Sequence, residues 1–257
     1  MDPVHGTAGL RPDHGPLFAV IGVFDGLHRG HLYLLERLVA EARARTAKPA
    51  VITFDSHPDE VLVGAAPPLL LDPADRMRLL DELGVEVVVV EHFDAALRAT
   101  EYDDFIHRIT DRTRLAGLLM TPDAAFGHDR RGTPDAVAAL GARDGFELVV
   151  VPPFEIDGRS VRSSDIRTAI TAGDLGLAET LLGRPYAIFA TVDGDGSLAT
   201  EMPVARPPAG RYPVIAGRAG GTRLVSADLV IADGGELRLA PSDAAPGERV
   251  VVEFRLR

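Results

Sequence analysis

The sequence predicts an α/β domain built on a parallel sheet, followed by a small all-β, barrel-like domain. Three observations lead there. Apolar runs of strand length alternate with segments of helical period up to about residue 184. From Pro185 the helical period stops, and short β-type runs alternate with Gly, Pro and Asp turns. The 257 residues are enough for a large domain and a smaller one. The expected boundaries are a disordered lead-in over 1–16, an α/β domain over 17–184 and a β domain over 185–257.

Each element has its own signal. Leu17 to Val23 is an apolar run broken at Asp25-Gly26. From His31 a helix is expected, because Leu34, Leu35, Leu38, Val39 and Ala42 recur at three- and four-residue spacing. A second strand, Pro49 to Asp55, ends in the polar stretch Ser56-His57-Pro58. Asp72 caps a helix with Pro73 at its first position, running to Leu83 and stopped by Gly84. Val85–Val90, nearly all valine, reads as a buried parallel strand. Thr100 to about Arg112 reads as a helix with Phe105, Ile106 and Ile109 inward. Leu115–Met120 is a strand that leads into Asp123–Gly132. Thr133-Pro134-Asp135 opens a helix to about Arg143, and Glu147–Val151 is a strand. Val161–Arg167 then opens a helix with Ala169 and Ile170 inward, and Leu175–Leu182 forms another, ended by Gly183. Beyond it the β-type runs are Tyr186–Val192, Tyr212–Ala216, Arg223–Ser226, Leu229–Ala232, Leu237–Leu239 and Val250–Phe254, with hairpin-grade turns at Asp193–Gly196 and Asp233–Gly235.

Composition excludes several classes of function. Hydrophobic content of 46% and charged content of 25% are those of a globular protein. The net charge of −11 argues against broad binding to a nucleic-acid backbone. With no cysteine there is neither a disulfide framework nor a thiolate zinc site. The N-terminus lacks the apolar core of a signal peptide, and no stretch approaches a membrane span, so no membrane partner and a cytoplasmic location are expected.

The chemistry concentrates in Ala19-Val-Ile-Gly22-Val-Phe24-Asp25-Gly26-Leu-His28-Arg-Gly-His31, at a strand–loop–helix junction. His28 and His31 are three residues apart in a first turn, roughly 5–6 Å between Cβ atoms. Orphan amides and the positive end of a helix dipole suit an anion there, and Gly26 and Gly30 admit a bulky one. The residue types point to phosphoryl-group chemistry; a solvent-facing cap is the bland alternative. Parallel βαβ units gather their loops at one sheet edge, where ligands bind, so Ser56-His57-Pro58 and Asp123–Gly132 are expected on the side of the histidine motif. Ser163 and Ser164 are good N-caps, whereas Arg167, one turn into the helix, could bind a nucleotide phosphate. The polar residues of the β region form no constellation with catalytic spacing.

These motifs resemble those of the bacterial FAD synthetase family, the bifunctional riboflavin kinase/FMN adenylyltransferases. The resemblance covers about the first 186 residues. It is carried by Ile21–His31, Thr53-Phe-Asp-Ser-His-Pro58, the Phe126-Gly127 loop, Val161–Arg167 and Leu181-Leu-Gly-Arg-Pro-Tyr186. It implies a Rossmann-like nucleotidylyltransferase domain that moves AMP from ATP to FMN, giving FAD and pyrophosphate with Mg²⁺. Its partners would be small nucleotides and a flavin. By this resemblance His28 and His31 contact the ATP phosphates. Gly22, Phe24, Asp25 and Gly26 shape the nucleotide loop, and Arg162, Ser163, Ser164 and Arg167 belong to the second phosphate motif, in which Ser163, Ser164 and Arg167 hold the β- and γ-phosphates as the leaving pyrophosphate. His57 and Pro58 border the flavin, and Asp123 and Phe126 belong to the loop between flavin and nucleotide. The resemblance assigns no residue to the metal.

The chain departs from the family pattern in places. Arg162-Ser163-Ser164 stands where Ser-Ser-Thr is usual, Ala124-Ala125 where an aromatic and a basic residue are expected, and Ser56 where Pro is common. The Gly-Phe-Pro-Thr-Ala-Asn segment of the kinase module has no counterpart in Asp193–Pro203. Pro208-Ala-Gly-Arg-Tyr212 and Gly247–Phe254 resemble flanking strands of that module, but its catalytic-Glu segment and terminal helix are not found. A degenerate, kinase-dead barrel is therefore expected, and with it an FMN adenylyltransferase without riboflavin kinase activity. Two alternatives stand beside it: a nucleotidylyltransferase with another phosphorylated acceptor, and a flavin- or nucleotide-binding regulator whose site has decayed.

Overall fold

The computed structural model describes residues 3–241 and 244–256, and the chain divides into two compact units. The first comprises the chain through Phe24, Gly30–Pro67 and Met77–Ser160; the second comprises Asp25–Arg29, Pro68–Arg76 and the chain from Val161 on.

In chain order the elements up to Ser160 are β1 (Val4–His5), β2 (Leu17–Ile21), α1 (Arg29–Ala44), β3 (Lys48–Phe54), α2 (Asp59–Leu62), α3 (Pro73–Glu82), β4 (Val87–Glu91), α4 (Ala95–Arg98), α5 (Tyr102–Thr110), β5 (Leu115–Met120), α6 (Pro134–Asp144), β6 (Glu147–Val150), β7 (Glu155–Ile156) and β8 (Arg159–Ser160). The six-stranded sheet runs β1-β4-β3-β2-β5-β6, and every neighbouring pair is parallel. Helices covering both faces explain why the central strands are apolar throughout; Leu17, Phe18, Ala19 and Val20 of β2 are all buried. Ile106 and Ile109 of α5 and Val137 and Leu140 of α6 share one core with the sheet. The helix signals work locally as the sequence implies. The Asp72 carboxylate accepts from the Ala74 amide at 2.9 Å, and the Thr133 hydroxyl accepts from that of Ala136. Strand order reverses at β2, with β3 on one side and β5 on the other. That reversal is the switch point at which open α/β sheets bind ligands, outside the carboxyl ends of the strands.

The lead-in departs from expectation. Met1 and Asp2 lie outside the described residues, but residues 3–16 are structured. Val4–His5 adds a parallel strand beside β4, and short 3₁₀ turns follow at Thr7–Gly9 and Pro12–His14. The open edge of β4 supplies the reason: Gly6 N–H donates to Val90 C=O at 2.8 Å, Thr7 N–H to the Glu91 carboxylate at 2.6 Å, and Leu10 is buried. Pairing of this length leaves no periodicity to read. The Thr100–Arg112 helix is shorter than expected, and β4 ends at Glu91, one residue later than expected.

The second unit holds α7 (Ser163–Thr171), α8 (Leu175–Leu182), β9 (Ala187–Val192), β10 (Ser197–Ala199), β11 (Gly210–Arg218), β12 (Val225–Ile231), β13 (Leu237–Ala240) and β14 (Arg249–Phe254). The six strands close an antiparallel barrel in the order β10-β13-β12-β11-β14-β9. Alternation sets its interior: Ile188, Ala190 and Val192 of β9 and Val250, Val252 and Phe254 of β14 are buried, and the residues between them less so. Two of the expected β runs, Arg223–Ser226 and Leu229–Ala232, merge into the single strand β12. There Asp228, which interrupts the apolar pattern, stands opposite Pro213 and makes a diagonal ion pair with Arg211 of β11 at 3.0 Å. The helix pair α7–α8, expected within the α/β domain, groups with the barrel. Residues 68–76 group there too, because Leu69 donates to Pro203 C=O and accepts from Ala205 N–H. Among the described residues no helix is long and apolar enough to cross a membrane.

Candidate functional site

In the second unit the loop Asp25–Arg29 is held from three directions. Asp25 is buried, and its Oδ1 accepts from the Leu70 and Leu71 amides at 3.0 and 3.2 Å. Its Oδ2 takes a second branch of the Leu70 N–H at 3.1 Å and an Arg167 N–H at 2.6 Å. The Asp25 carbonyl accepts from the Ser163 hydroxyl at 3.0 Å. Arg184 donates to the carbonyls of Gly26 and Leu27 at 2.6 and 2.9 Å. The backbone here is left-handed, with φ of 83° at Gly26 and 38° at Leu27. A side chain at Gly26 would be strained by that φ and would meet Leu70 Cδ1 at 3.0 Å.

His28 is 4% exposed. Burial, and then the positive charges of Arg184 and Arg167, hold its imidazole down to about 4. It is therefore neutral at pH 7, with one ring N–H to donate and one ring nitrogen to accept. Arg76 is buried as well, which lowers its pKa, while Asp25 and Asp72 oppose that shift. The guanidinium groups of Arg76, Arg167 and Arg184 outnumber the carboxylates of Asp25 and Asp72 beside them, which leaves this cluster cationic.

The serines behave differently from the capping reading. Arg162 holds the N-cap position of α7 with no side-chain cap, and Ser163 and Ser164 are its first helical residues. Ser163 spends its hydroxyl on Asp25, whereas Ser164 and Arg162 are exposed. Arg167 is anchored by Asp25 and, through Nε, by Pro68 C=O at 2.8 Å.

In the first unit a cavity of about 460 Å³ opens at the carboxyl ends of the strands. Its walls include Ile21, Gly22 and Val23 after β2, Phe54 at the end of β3, Phe93 after β4, and Phe105 and Phe126. The aromatics meet edge to face, Phe54 with Phe93 at 5.3 Å and Phe105 with Phe126 at 6.1 Å between centroids. Arg98, Thr100, His128, Asp129 and Arg130 add polar groups. Gly22 donates to Ile52 C=O, and the Thr53 hydroxyl donates to Val23 C=O, which fixes the turn after β2. Phe24, at φ 54°, meets the His31 ring edge to face at 5.2 Å.

Of the four residues expected on the acceptor side, Pro58 and Phe126 line this cavity, and His57 and Asp123 are not among its walls. His57 Nδ1 accepts from the Asp59 amide at 3.2 Å; Asp123 is exposed and accepts from the Thr121 hydroxyl at 2.8 Å. Both serve their own loops. Phe54, Phe93, Phe105, Arg98 and Arg184 carry no site role in the sequence expectation, although Phe54 and Arg184 fall inside quoted motifs and Phe105 is expected on an inward helix face. The aromatics sit at strand ends or on a helix face and look like core in sequence, and Arg184 acts on carbonyls 157 and 158 residues away.

Residues 10–165 match the family model described as FAD synthetase. The chain is 34% identical over 203 residues to the bifunctional riboflavin kinase/FMN adenylyltransferase of Pseudomonas fluorescens, which covers 79% of this chain and 65% of that protein. With the Haemophilus influenzae protein of the same name it shares 35% identity over 174 residues, 67% of this chain and 56% of the relative. The chain thus spans less than two thirds of the length of these relatives. A solved structure, the macrolide-efflux protein from Streptococcus pneumoniae, superposes with a TM-score of 0.80 over 99% of this chain and 90% of that one, at 23% identity. That likeness is one of fold alone.

Proposed function

As the chain belongs to the FAD synthetase family, we propose that it transfers AMP from ATP to FMN, giving FAD and pyrophosphate, and that it does not phosphorylate riboflavin. The observation that carries this reading is the aromatic-walled cavity. Its 460 Å³ lies in the range of small-molecule sites, and two edge-to-face phenylalanine pairs suit a flat apolar ring system. The cationic cluster around Asp25–Arg29 supports the nucleotide half of the reading.

In the proposed reaction an oxygen of the FMN phosphate attacks the α-phosphorus of ATP in line. The bond to the bridging oxygen breaks, and pyrophosphate leaves with the electron pair. No covalent enzyme intermediate is required, so the protein's task is to position the groups and neutralise charge. Neutral His28 donates a ring N–H to a phosphate oxygen. As the polyanion settles, its charge favours the imidazolium form, which strengthens that bond. His31, in the first turn of α1, is assigned the same role on the transferred phosphoryl. Arg167, held by Asp25, takes the leaving pyrophosphate.

No residue of the chain is assigned to magnesium. Among the described residues no three His, Cys, Asp or Glu side chains group to hold a metal. Both oxygens of Asp25 are already committed to the amides and to Arg167. Mg²⁺ is accordingly assigned to the nucleotide, as part of the substrate it accompanies.

Incubation with ATP, Mg²⁺ and FMN is expected to yield FAD and pyrophosphate by chromatography. Incubation with riboflavin in place of FMN is expected to yield neither FMN nor FAD. No FAD at high enzyme concentration, with another phosphorylated acceptor consumed, would replace FMN as the substrate. Any FMN above a blank would restore kinase activity to the barrel.

A further inference from the structure

We propose that Arg184 is a positioning residue whose guanidinium clamps the Gly26 and Leu27 carbonyls and so holds the His28 loop in the form that receives the nucleotide phosphates. The inference rests on the reading above only for what the loop binds; the clamp itself is geometry. Two N–H groups of one planar fork reach two successive carbonyls at 2.6 and 2.9 Å. The residues that bear those carbonyls are buried and left-handed, at φ 83° and 38°. A leucine at positive φ is disfavoured by its own sterics, so this conformation persists only where the surroundings fix it. Carbonyls turned inward by such a backbone need donors, and a charged fork supplies the strongest kind.

The loop is fixed on its other side by Asp25, through Leu70, Leu71, Ser163 and Arg167. His28 follows directly on the clamped peptides, so its ring is aimed by both anchors. The charged groups that act on it are Arg184 and Arg167, both cationic, and both disfavour a second positive charge on the ring. Burial is the larger cause of the neutral imidazole, and the charge of Arg184 adds to it.

The test uses the full chain with Arg184→Gln and Arg184→Lys. Ring titration of His28 by NMR, assigned against His28→Gln, is expected to move up from about 4 toward 6.5 in Arg184→Gln. The KM for Mg-ATP is expected to rise about tenfold, the scale of one lost charge-assisted hydrogen bond, with the KM for FMN unchanged. Arg184→Lys keeps the charge but not the fork, so its His28 titration stays low while the ATP KM rises. A folded Arg184→Gln protein with wild-type titration and wild-type ATP KM would overturn the proposal. So would a parallel rise of both KM values, because that is the signature of a general loss of structure. If Arg184→Gln does not fold, Arg184→Lys decides by the same split between the two substrates. A wild-type protein that neither binds nor consumes ATP would defeat the adenylyl-transfer reading alone, and the His28 titration would still report on the clamp.

Discussion

The loop around His28 and the aromatic cavity are built in opposite ways, and the proposed reaction gives each a different task. The loop is polar and buried: carboxylate, hydroxyl, amides and guanidinium groups meet at 2.6 to 3.2 Å around a left-handed backbone. The cavity is walled by phenylalanines that meet each other through edges, with its polar groups supplied by α4, Thr100 and residues 128–130. A triphosphate needs dipoles that are already oriented, because turning them at the moment of reaction costs the rate. A flat ring needs area and shape, and these tolerate small movements of their walls. Damage to the loop should therefore cost stability and turnover, and damage to the cavity should cost mainly acceptor affinity.

The largest expected effect is on stability. Asp25→Ala removes the buried carboxylate and leaves the Arg167 guanidinium and the Leu70 and Leu71 amides without their acceptor. Removing one partner of a buried pair costs about 3–5 kcal/mol, to be read from urea unfolding. A loss under about 1 kcal/mol, the level of a surface pair, would mean that the cluster is not preformed.

Next in size is turnover. His31→Ala removes a donor assigned to the transferred phosphoryl, and analogous preorganised donors are worth about 10²–10³ in kcat. His31 is only half-buried, so the fold is expected to survive. Full turnover in a folded variant would reduce the histidine to a helix-start residue.

These two predictions differ in how far the sequence alone could carry them. The α/β alternation was legible because strands and helices impose periods of 2.0 and 3.6 on apolar residues. The histidine motif was legible because its spacing is local. The strand at Val4–His5 was not, since its reason lies in the unpaired edge of β4 and two residues have no period. The capping reading of Ser163 fails for a related reason: capping is a rule about neighbours, and the partner of its hydroxyl is 138 residues away. The sequence motif puts Asp25 in the loop after β2, but its contact with Arg167, 142 residues away, is tertiary. Of the cavity, Phe126 and Pro58 could be named from motif position. Phe54 lies in the same motif as Pro58 but, like Phe93, carries no site signal of its own, because an aromatic residue at a strand end looks the same whether it faces a core or a ligand.

A third prediction follows from the buried imidazole. His28 titrates near 6.5 in the unfolded chain and at about 4 in the folded one. Between those values the unfolded state binds the extra proton, so stability rises with pH across the window and is lost as pH falls from 6.5 to 4. The full difference is about 3 kcal/mol at 1.36 kcal/mol per unit. Urea midpoints for the wild type and His28→Gln, measured at pH 7 and pH 4.5, isolate it: the wild type should lose more on acidification. Equal losses would show that His28 is solvated.

The smallest effect belongs to the cavity. Phe126→Ala removes one ring of an edge-to-face pair with Phe105 from a wall that already borders open space. Phe126 is half-buried, so its loss should cost less than the 3–5 kcal/mol of a fully buried phenylalanine. In the proposed reading the ring contacts a planar acceptor, and stacking or edge contacts of this kind are worth about 0.5–1.5 kcal/mol. The KM for FMN should therefore rise by about tenfold at most, since tenfold corresponds to 1.4 kcal/mol. The KM for Mg-ATP and the His28 titration should stay where they are, because neither the nucleotide phosphates nor the imidazole depends on that wall. Steady-state kinetics with each substrate varied in turn reads the split directly. An ATP effect as large as the FMN effect would break the comparison, for the aromatic wall would then be shaping the polar loop as well as the acceptor.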